Sequence, residues 1–186
     1  MGFILDSSGS LRNEYQKEKD FLKTLAGAFD ISEDGSRAGV VTFSYKAEHS
    51  IKLSDHKSIQ SFSDAVDKIP LMGSITRIDK AMRLTQKELF KPENGARPGI
   101  TKVLVLLTDG SQTPAADAEE PSDIADELRG IGVSIIVVGV GRGTNPKELD
   151  RIAGGKGEAF SAASFDELIG GDMVQELTRK TCEVGM

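Results

Sequence analysis

The chain has 186 residues, of which 38% are hydrophobic, and carries a formal net charge of −6. Lysine and arginine are scattered along the chain, so no basic stripe exists to follow a phosphate backbone, and nucleic-acid binding is not expected. No apolar stretch approaches the roughly 20 residues that a membrane span needs, which argues against direct insertion into a membrane. Cys182 is the only cysteine, so no disulfide can form within the chain. The length suits one well-buried core, and we expect a single domain over residues 1–186.

Apolar runs bounded by polar or glycine-containing segments predict four buried strands, at Gly2–Leu5, Ala38–Phe43, Val103–Leu107 and Val133–Val140. Such near-continuous runs of Val, Ile and Leu are typical of parallel strands that are covered on both faces. Ala47–Leu53 alternates polar and apolar residues and follows the preceding strand after only three residues, so we expect it to pair antiparallel. Glu158–Ala162 is a short candidate for a last strand.

Helical periodicity appears between these strands. Apolar residues share one helical face between Tyr15 and Phe29, and again between Ile78 and Leu89. Weaker patterns predict further helices over Asp55–Ile69, which Ser54 would cap, and over Pro121–Arg129, Pro146–Ala153 and Phe165–Cys182. Gly170 and Gly171 lie in the last of these and either hinge one helix or separate two.

Strands and helices therefore alternate through the whole chain. This order predicts an α/β fold, with a doubly wound, mostly parallel sheet of about six strands, one antiparallel edge strand and helices on both faces. In such open sheets, ligands bind beyond the carboxyl ends of the strands, near the point where the strand order reverses. Polar residues at those ends are therefore the first candidates for a functional site.

Two strand ends carry carboxylates. The first strand ends in Asp6-Ser7-Ser8-Gly9-Ser10, and the strand over 103–107 is followed by Thr108-Asp109-Gly110. Carboxylate, hydroxyl and water oxygens are the ligands that Mg2+ and Mn2+ prefer. Two carboxylates also balance the charge of a divalent cation, so that a bound ion could accept an acidic group from a partner.

These motifs resemble those of the von Willebrand factor type A domain, of the adhesion type found in matrilins and in matrix proteins like collagen VI. The metal-ion-dependent adhesion site (MIDAS) of that family reads Asp-x-Ser-x-Ser, then a distant Thr, then a distant Asp. Asp6, Ser8 and Ser10 match the first part, and Asp109 matches the strand-end Asp. Aligning the helix through Ala81 puts Thr76 at the Thr position. Here Ile75 stands where the family usually has Gly.

The resemblance implies that Ser8 and Ser10 bind the metal directly, that Thr76 does so in the ligand-ready state, and that Asp6 and Asp109 act partly through water. A Glu or Asp of a protein ligand would complete the shell, and collagen or another matrix protein is a candidate partner. The resemblance also implies binding without catalysis, an extracellular location as part of a larger protein, and a last helix that can shift to regulate affinity.

Other interpretations of the same residues stay open at this point. In a second hypothesis, the chain is a magnesium-dependent hydrolase or phosphotransferase whose Asp6 attacks a phosphoryl group, with Arg77 and Lys80 as the candidate clamp. In a third, the chain keeps the fold but binds partners through other faces without a metal. The serines could also be an ordinary loop and helix cap, and Thr76 a helix cap. His49 and His56 lack neighbours at zinc-ligand spacing.

Overall fold

Six strands form one hydrogen-bonded sheet in the computed structural model, which describes residues 1–155, 158–170 and 172–184. In chain order the strands are Gly2–Asp6 (β1), Gly39–Phe43 (β2), Ala47–Ile51 (β3), Lys102–Thr108 (β4), Val133–Val140 (β5) and Ala159–Ala162 (β6). Their spatial order is β3-β2-β1-β4-β5-β6, and every neighbouring pair is parallel except β2 and β3. The prediction of a mostly parallel, six-stranded sheet with one antiparallel edge strand is confirmed.

Helices cover both faces of this sheet. The described α-helices are Tyr15–Gly27 (α1), Ile59–Asp67 (α2), Ile78–Leu84 (α3), Pro121–Gly130 (α4), Pro146–Ala153 (α5), Phe165–Gly170 (α6) and Met173–Val184 (α7). One core layer receives buried side chains from α1, α2, α6 and α7, including Phe21 and Leu177. The other receives them from α3, α4 and α5, including Ile78 and Leu149. Because both faces are covered, the central strands can be apolar throughout, as their sequences are.

The start of α2 differs from the prediction. A helix was expected from Asp55 with Ser54 as its cap, but α2 begins four residues later. Its cap is Ser58, whose hydroxyl accepts a hydrogen bond from the backbone N–H of Ser61 at 3.2 Å. The side chain of Asp55 is used in a turn instead, where it accepts from the backbone N–H of Lys52 at 2.8 Å. Either Ser54 or Ser58 could serve as the cap by residue type, and this turn decides which of them does.

Two other helical predictions also need adjustment. The helix predicted to run to Leu89 is α-helical only to Leu84 and continues as one π-helical segment over Thr85–Leu89. The segment predicted as one helix from Phe165 is two helices, α6 and α7. Gly170 ends the first of them, whereas Gly171 lies outside the described residues. Within the described part of the chain, no helix is both long and apolar enough to cross a membrane.

The strand order fixes where a site can form. The strands β2 and β3 lie on one side of β1, and the later strands β4, β5 and β6 lie on the other side. The order therefore reverses between β1 and β4, which pair in parallel with Ile4 opposite Leu106 and Leu5 opposite Leu107. The carboxyl ends of these two strands open a crevice at one edge of the sheet, which is where ligands bind in folds of this kind.

Candidate metal centre

Asp6 is the last residue of β1 and is fully buried. Both of its carboxylate oxygens are held by the chain: Oδ1 accepts the backbone N–H of Ser8 at 2.8 Å, and Oδ2 accepts the hydroxyl of Thr108 at 2.7 Å. Thr108 was not among the predicted site residues, although its position at the end of β4, directly before Asp109, was an available signal. The buried Thr108 fixes the orientation of the Asp6 carboxylate across the two strands.

A chain of hydrogen bonds joins the serines to the second carboxylate. The hydroxyl oxygens of Ser8 and Ser10 lie 3.0 Å apart, and the Ser10 hydroxyl donates to Oδ1 of Asp109 at 2.8 Å. Ser8 is buried, Ser10 is exposed and Asp109 is half-buried, so these oxygens lead from the sheet edge to the surface. Burial raises the pKa of Asp109 above its ordinary value, whereas the hydrogen bond from Ser10 acts in the opposite direction.

Thr76 reaches the same edge from the loop before α3. A Cβ atom on Gly110 would lie 3.4 Å from Oγ1 of Thr76, so this hydroxyl is next to the residue that follows Asp109. The loop is tied to the first strand as well, because the backbone N–H of Gly9 donates to the carbonyl of Ser74 at 2.8 Å. The five residues predicted for the metal therefore come together at one sheet edge.

The structure does not support the reading of these residues as helix caps. Ser8 occupies the N-cap position of the short 3-10 helix Gly9–Asn13 but makes no side-chain capping hydrogen bond. The N-cap of α3 is Arg77, not Thr76, and it also makes no such bond. The hydroxyl groups of Ser8 and Thr76 are therefore not engaged in capping and remain candidates for ligand binding.

Glu18 is a further acidic residue beneath the candidate centre. It is fully buried on α1, where Oε1 accepts the backbone N–H of Asp6 at 3.1 Å and Oε2 has no hydrogen-bond partner. Burial, with smaller contributions from the charges of Asp6 and Asp109, raises its pKa well above the ordinary value. Sequence reasoning missed Glu18, although its spacing from Tyr15 and Leu22 places it on the apolar face of the helix.

Burial also dominates the electrostatics of Asp6. It raises the pKa of this carboxyl to about 6, against the lowering effect of the hydrogen bonds from Thr108 and Ser8. The charge of Asp109 adds to the rise. The isolated cluster therefore holds negative charge at a cost in free energy, and a cation at this edge would relieve that cost.

The donor atoms of the cluster fit a hard divalent cation. They are two carboxylates and three hydroxyls, all oxygen, and water could supply the remaining ligands of an octahedral ion.

Among the described residues, no group of three or more His, Cys, Asp or Glu side chains is placed to hold a metal. Nδ1 of His56 contacts the Ser61 hydroxyl at 2.5 Å.

Known proteins with similar sequences include collagen VI chains and a von Willebrand factor A domain-containing protein. The human collagen alpha-5(VI) chain is 36% identical over 167 residues, which is 89% of this chain and 6% of that protein. The von Willebrand factor A domain-containing protein 2 of Xenopus laevis is 29% identical over 184 residues, which is 98% of this chain and 22% of that protein. The chain thus spans only a small part of the relatives that it matches. The family resemblance implied an extracellular location, and the collagen chains among the relatives agree with it.

Solved structures of similar fold include a mussel matrix protein. Proximal thread matrix protein 1 from the mussel byssus superposes with a TM-score of 0.89 and 27% identity, over 97% of this chain and 47% of that chain. Another structure of that mussel protein, with a TM-score of 0.88, has a zinc-occupied MIDAS motif. The sequence profile of the von Willebrand factor type A domain matches residues 1–176. The chain belongs to the von Willebrand factor type A domain family.

Proposed function

We propose that the chain is a metal-dependent adhesion module, in which one Mg2+ or Mn2+ ion captures a carboxylate of a protein partner. The proposed ligands, direct or through water, are Asp6, Ser8, Ser10, Thr76 and Asp109. One observation carries the proposal: two carboxylates and three hydroxyls converge from three separate loops at the switch point of the sheet. We further propose that residues 1–186 form a single such domain, acting outside the cell as part of a larger protein.

The charges of the centre favour capture of an acid. Asp6 and Asp109 together balance a divalent cation, and burial raises the pKa of Glu18, which disfavours a third negative charge there. An ion held in a neutral site does not repel an incoming carboxylate. A bound ion would then accept the partner's Glu or Asp as a ligand, and no bond of the partner would be broken.

The oxygen-only donor set supports Mg2+ or Mn2+ as the working ion. Zinc prefers nitrogen and sulfur ligands, whereas carboxylates, hydroxyls and water suit the harder cations. The zinc-occupied MIDAS motif of the mussel protein demonstrates that a related structure can accept zinc. A comparison of the three ions at equal concentration is therefore part of the test.

The rim of the centre supports a protein as the partner. Tyr45 and Ile75 are 48% and 45% exposed, although both are large and apolar. Ser44 joins their loops, because its hydroxyl donates to the carbonyl of Ile75 at 2.9 Å and accepts the N–H of Ser74 at 3.0 Å. Apolar side chains beside a cation suit a protein surface that presents one acid among apolar groups. With collagen chains among the relatives, collagen or another matrix protein is the proposed partner.

The alternative of a hydrolase or phosphotransferase finds less support. Asp6 is fully buried, with both carboxylate oxygens already engaged, so it is poorly placed to attack a phosphoryl group. Of the candidate phosphate clamps, Arg77 is paired with Asp79 and Asp117, and Lys80 contacts a backbone carbonyl and the same Asp117. Binding without catalysis is therefore the function we propose.

The first experiment measures thermal unfolding in EDTA and in millimolar Mg2+, Mn2+ or Zn2+. An ion at a hundredfold excess over its dissociation constant stabilises the folded state by about 2.7 kcal/mol. Asp109→Ala should lose this gain, whereas the control Asp64→Ala, at an exposed position of α2, should keep it. The proposed centre is wrong if neither Mg2+ nor Mn2+ binds the wild-type chain at 10 mM. This concentration is about tenfold above the largest dissociation constant expected of an extracellular site with oxygen ligands.

A second experiment tests the partner with collagen as the probe. We expect wild-type chain to bind immobilised collagen in Mg2+, and to release it in EDTA or after Asp109→Ala. Ile75→Ser should weaken collagen binding while leaving the metal affinity unchanged. Binding that survives EDTA would contradict capture through the ion, and no binding would exclude collagen as the partner. Hydrolysis of a simple phosphomonoester in Mg2+ would favour the alternative function.

A further inference from the structure

The loop between β4 and α4, over residues 109–120, begins with Asp109 and has no helix or strand of its own. Long loops without regular structure need cross-links to hold one conformation. The loop that carries Thr76 faces the same requirement, because it crosses from α2 to α3 as irregular chain. Contacts between these two loops therefore decide whether the Thr76 hydroxyl and the Asp109 carboxylate stay close together in the absence of a metal.

A buried ion pair lies directly behind Thr76. Arg77 and Asp79 are 3% and 2% exposed, and their side chains form two hydrogen bonds of 2.9 and 2.7 Å. The Asp79 carboxylate also accepts the side-chain amide of Gln112 at 2.7 Å and the backbone N–H of Glu119 at 3.2 Å. Burial alone would raise the pKa of Asp79, but these bonds outweigh it and lower the pKa. One carboxylate thus holds the 109–120 loop at two points.

The contacts are reciprocal. The amide oxygen of Gln112 accepts the backbone N–H of Asp79 at 3.2 Å, and the backbone N–H of Gln112 donates to Glu148 of α5 at 3.2 Å. Closer to the centre, the backbone N–H of Thr76 donates to the hydroxyl of Thr113 at 3.1 Å, and the carbonyl of Thr76 accepts the N–H of Thr113 at 2.8 Å. The backbone of Thr76 is therefore fixed from both sides by the loop that carries Asp109.

We propose that Arg77, Asp79, Gln112 and Thr113 form a latch that positions Thr76 against Asp109 before the metal binds. A buried ion pair adds little net stability because of its desolvation, but it can specify one geometry. When the loops are already in place, the metal does not have to order them, so its affinity is higher. The latch residues are positioning residues that do not touch the ion. The inference deepens the proposed metal centre and rests on it for its effect on affinity.

The test uses two variants on the partly exposed side of the latch. Thr113→Val removes the hydroxyl that accepts from Thr76 with almost no change in shape, and Gln112→Leu removes both side-chain bonds to Asp79. The matched control is Thr24→Val, which removes one side-chain hydrogen bond to a backbone carbonyl at an exposed position of α1. Mn2+ affinity is measured by titration at a temperature where every variant is folded, and hydrogen exchange of the backbone is measured in EDTA.

We expect Mn2+ to bind about tenfold more weakly to each latch variant, as for other residues that orient metal ligands. In EDTA, exchange should become faster over residues 109–120 in both variants, without a similar change in the strands. The control should change neither measurement. A purely structural role would speed exchange throughout the chain and leave the affinity of the folded protein unchanged.

The two proposals fail in different ways. If the wild-type chain binds no ion, the metal centre itself is wrong, and exchange in EDTA still decides whether the latch holds the loop. Unchanged protection over residues 109–120 in both latch variants would overturn the latch. So would Mn2+ affinities within twofold of wild type in both variants.

Discussion

The hydroxyl of Ser10 donates to Oδ1 of Asp109 at 2.8 Å, although 99 residues separate the two in the chain. The bond bridges the loops that follow β1 and β4, and it lies at the surface. An intramolecular hydrogen bond contributes only about 1 kcal/mol to stability, because water competes for both groups. The contact therefore contributes little to the free energy of unfolding, but it shows that the two loops approach within hydrogen-bonding distance.

Ser10→Ala should accordingly affect the metal more than the fold. We expect the free energy of unfolding in EDTA to change by less than about 1 kcal/mol, because Ser10 is exposed. Affinity for Mg2+ and Mn2+ should fall by tenfold or more, since the variant loses one of the proposed oxygen ligands. Ser111→Ala is the matched control, because that hydroxyl lies at the same edge but donates to the carbonyl of Gly143 at 3.1 Å. Equal losses of affinity in both variants would contradict a specific role for Ser10.

Metal binding should weaken in acid because of Asp6. Its pKa is raised to about 6, so about a tenth of Asp6 is ionised at pH 5. Affinity for Mn2+ is therefore expected to be about tenfold lower at pH 5 than at pH 7.5. In EDTA the sign is opposite: a raised carboxyl pKa stabilises the fold at low pH, and this contribution is lost as the pH rises from about 4 through about 6. Titrations at several pH values test this, and an affinity that does not depend on pH would contradict it.

The central strands and the two carboxylates were predictable from sequence for one physical reason. Strands buried on both faces must be apolar, so β1 and β4 stand out, and their carboxyl ends must meet at one edge. Asp6 and Asp109 follow from that geometry alone. Thr76 does not, because nothing local indicates that its loop folds back over Gly110. Thr76 was predicted as a site residue from the family resemblance and not from helical periodicity.

The features that sequence reasoning missed depend on tertiary contacts. Ser54 and Ser58 are equally good caps by residue type, and only the turn at Lys52 selects between them. The pairing of Asp79 with Gln112 joins residues 33 positions apart, which no local pattern indicates. Glu18 is different, because its helical spacing marked it as an inward-facing residue. Because glutamate is usually exposed, Glu18 was nevertheless not predicted to be buried.

Glu18→Gln should stabilise the metal-free chain at neutral pH. Glutamine keeps an oxygen that can accept from the N–H of Asp6, and it removes a carboxyl group whose Oε2 has no partner. Because the folded pKa of Glu18 is raised, its contribution to stability is present at low pH and is lost as the pH rises above about 4.5. We expect a gain in the free energy of unfolding at pH 7.5 that shrinks towards pH 4.5.

Urea unfolding in EDTA at pH 5 and pH 7.5 measures this difference. Glu14→Gln is the control, because that side chain is only half-buried and should change stability by less than about 0.5 kcal/mol at either pH. A Glu18→Gln chain that is less stable than wild type at both values of pH would contradict the account of Glu18 as a buried acid whose pKa is raised.

Gly143→Ala should damage the centre without touching any proposed ligand side chain. A Cβ atom at Gly143 would overlap the backbone carbonyl oxygen of Asp109, so one of the two loops must move. Overpacking of this kind costs about 1–3 kcal/mol in stability, and a shift of Asp109 should weaken Mn2+ binding about tenfold. Gly130→Ala is the matched control, because its Cβ would meet nothing within 4 Å at the end of α4. Melting curves and Mn2+ titrations of both variants separate the effects. Unchanged Mn2+ affinity in folded Gly143→Ala would mean that the position of Asp109 tolerates more movement than the close approach of these loops implies.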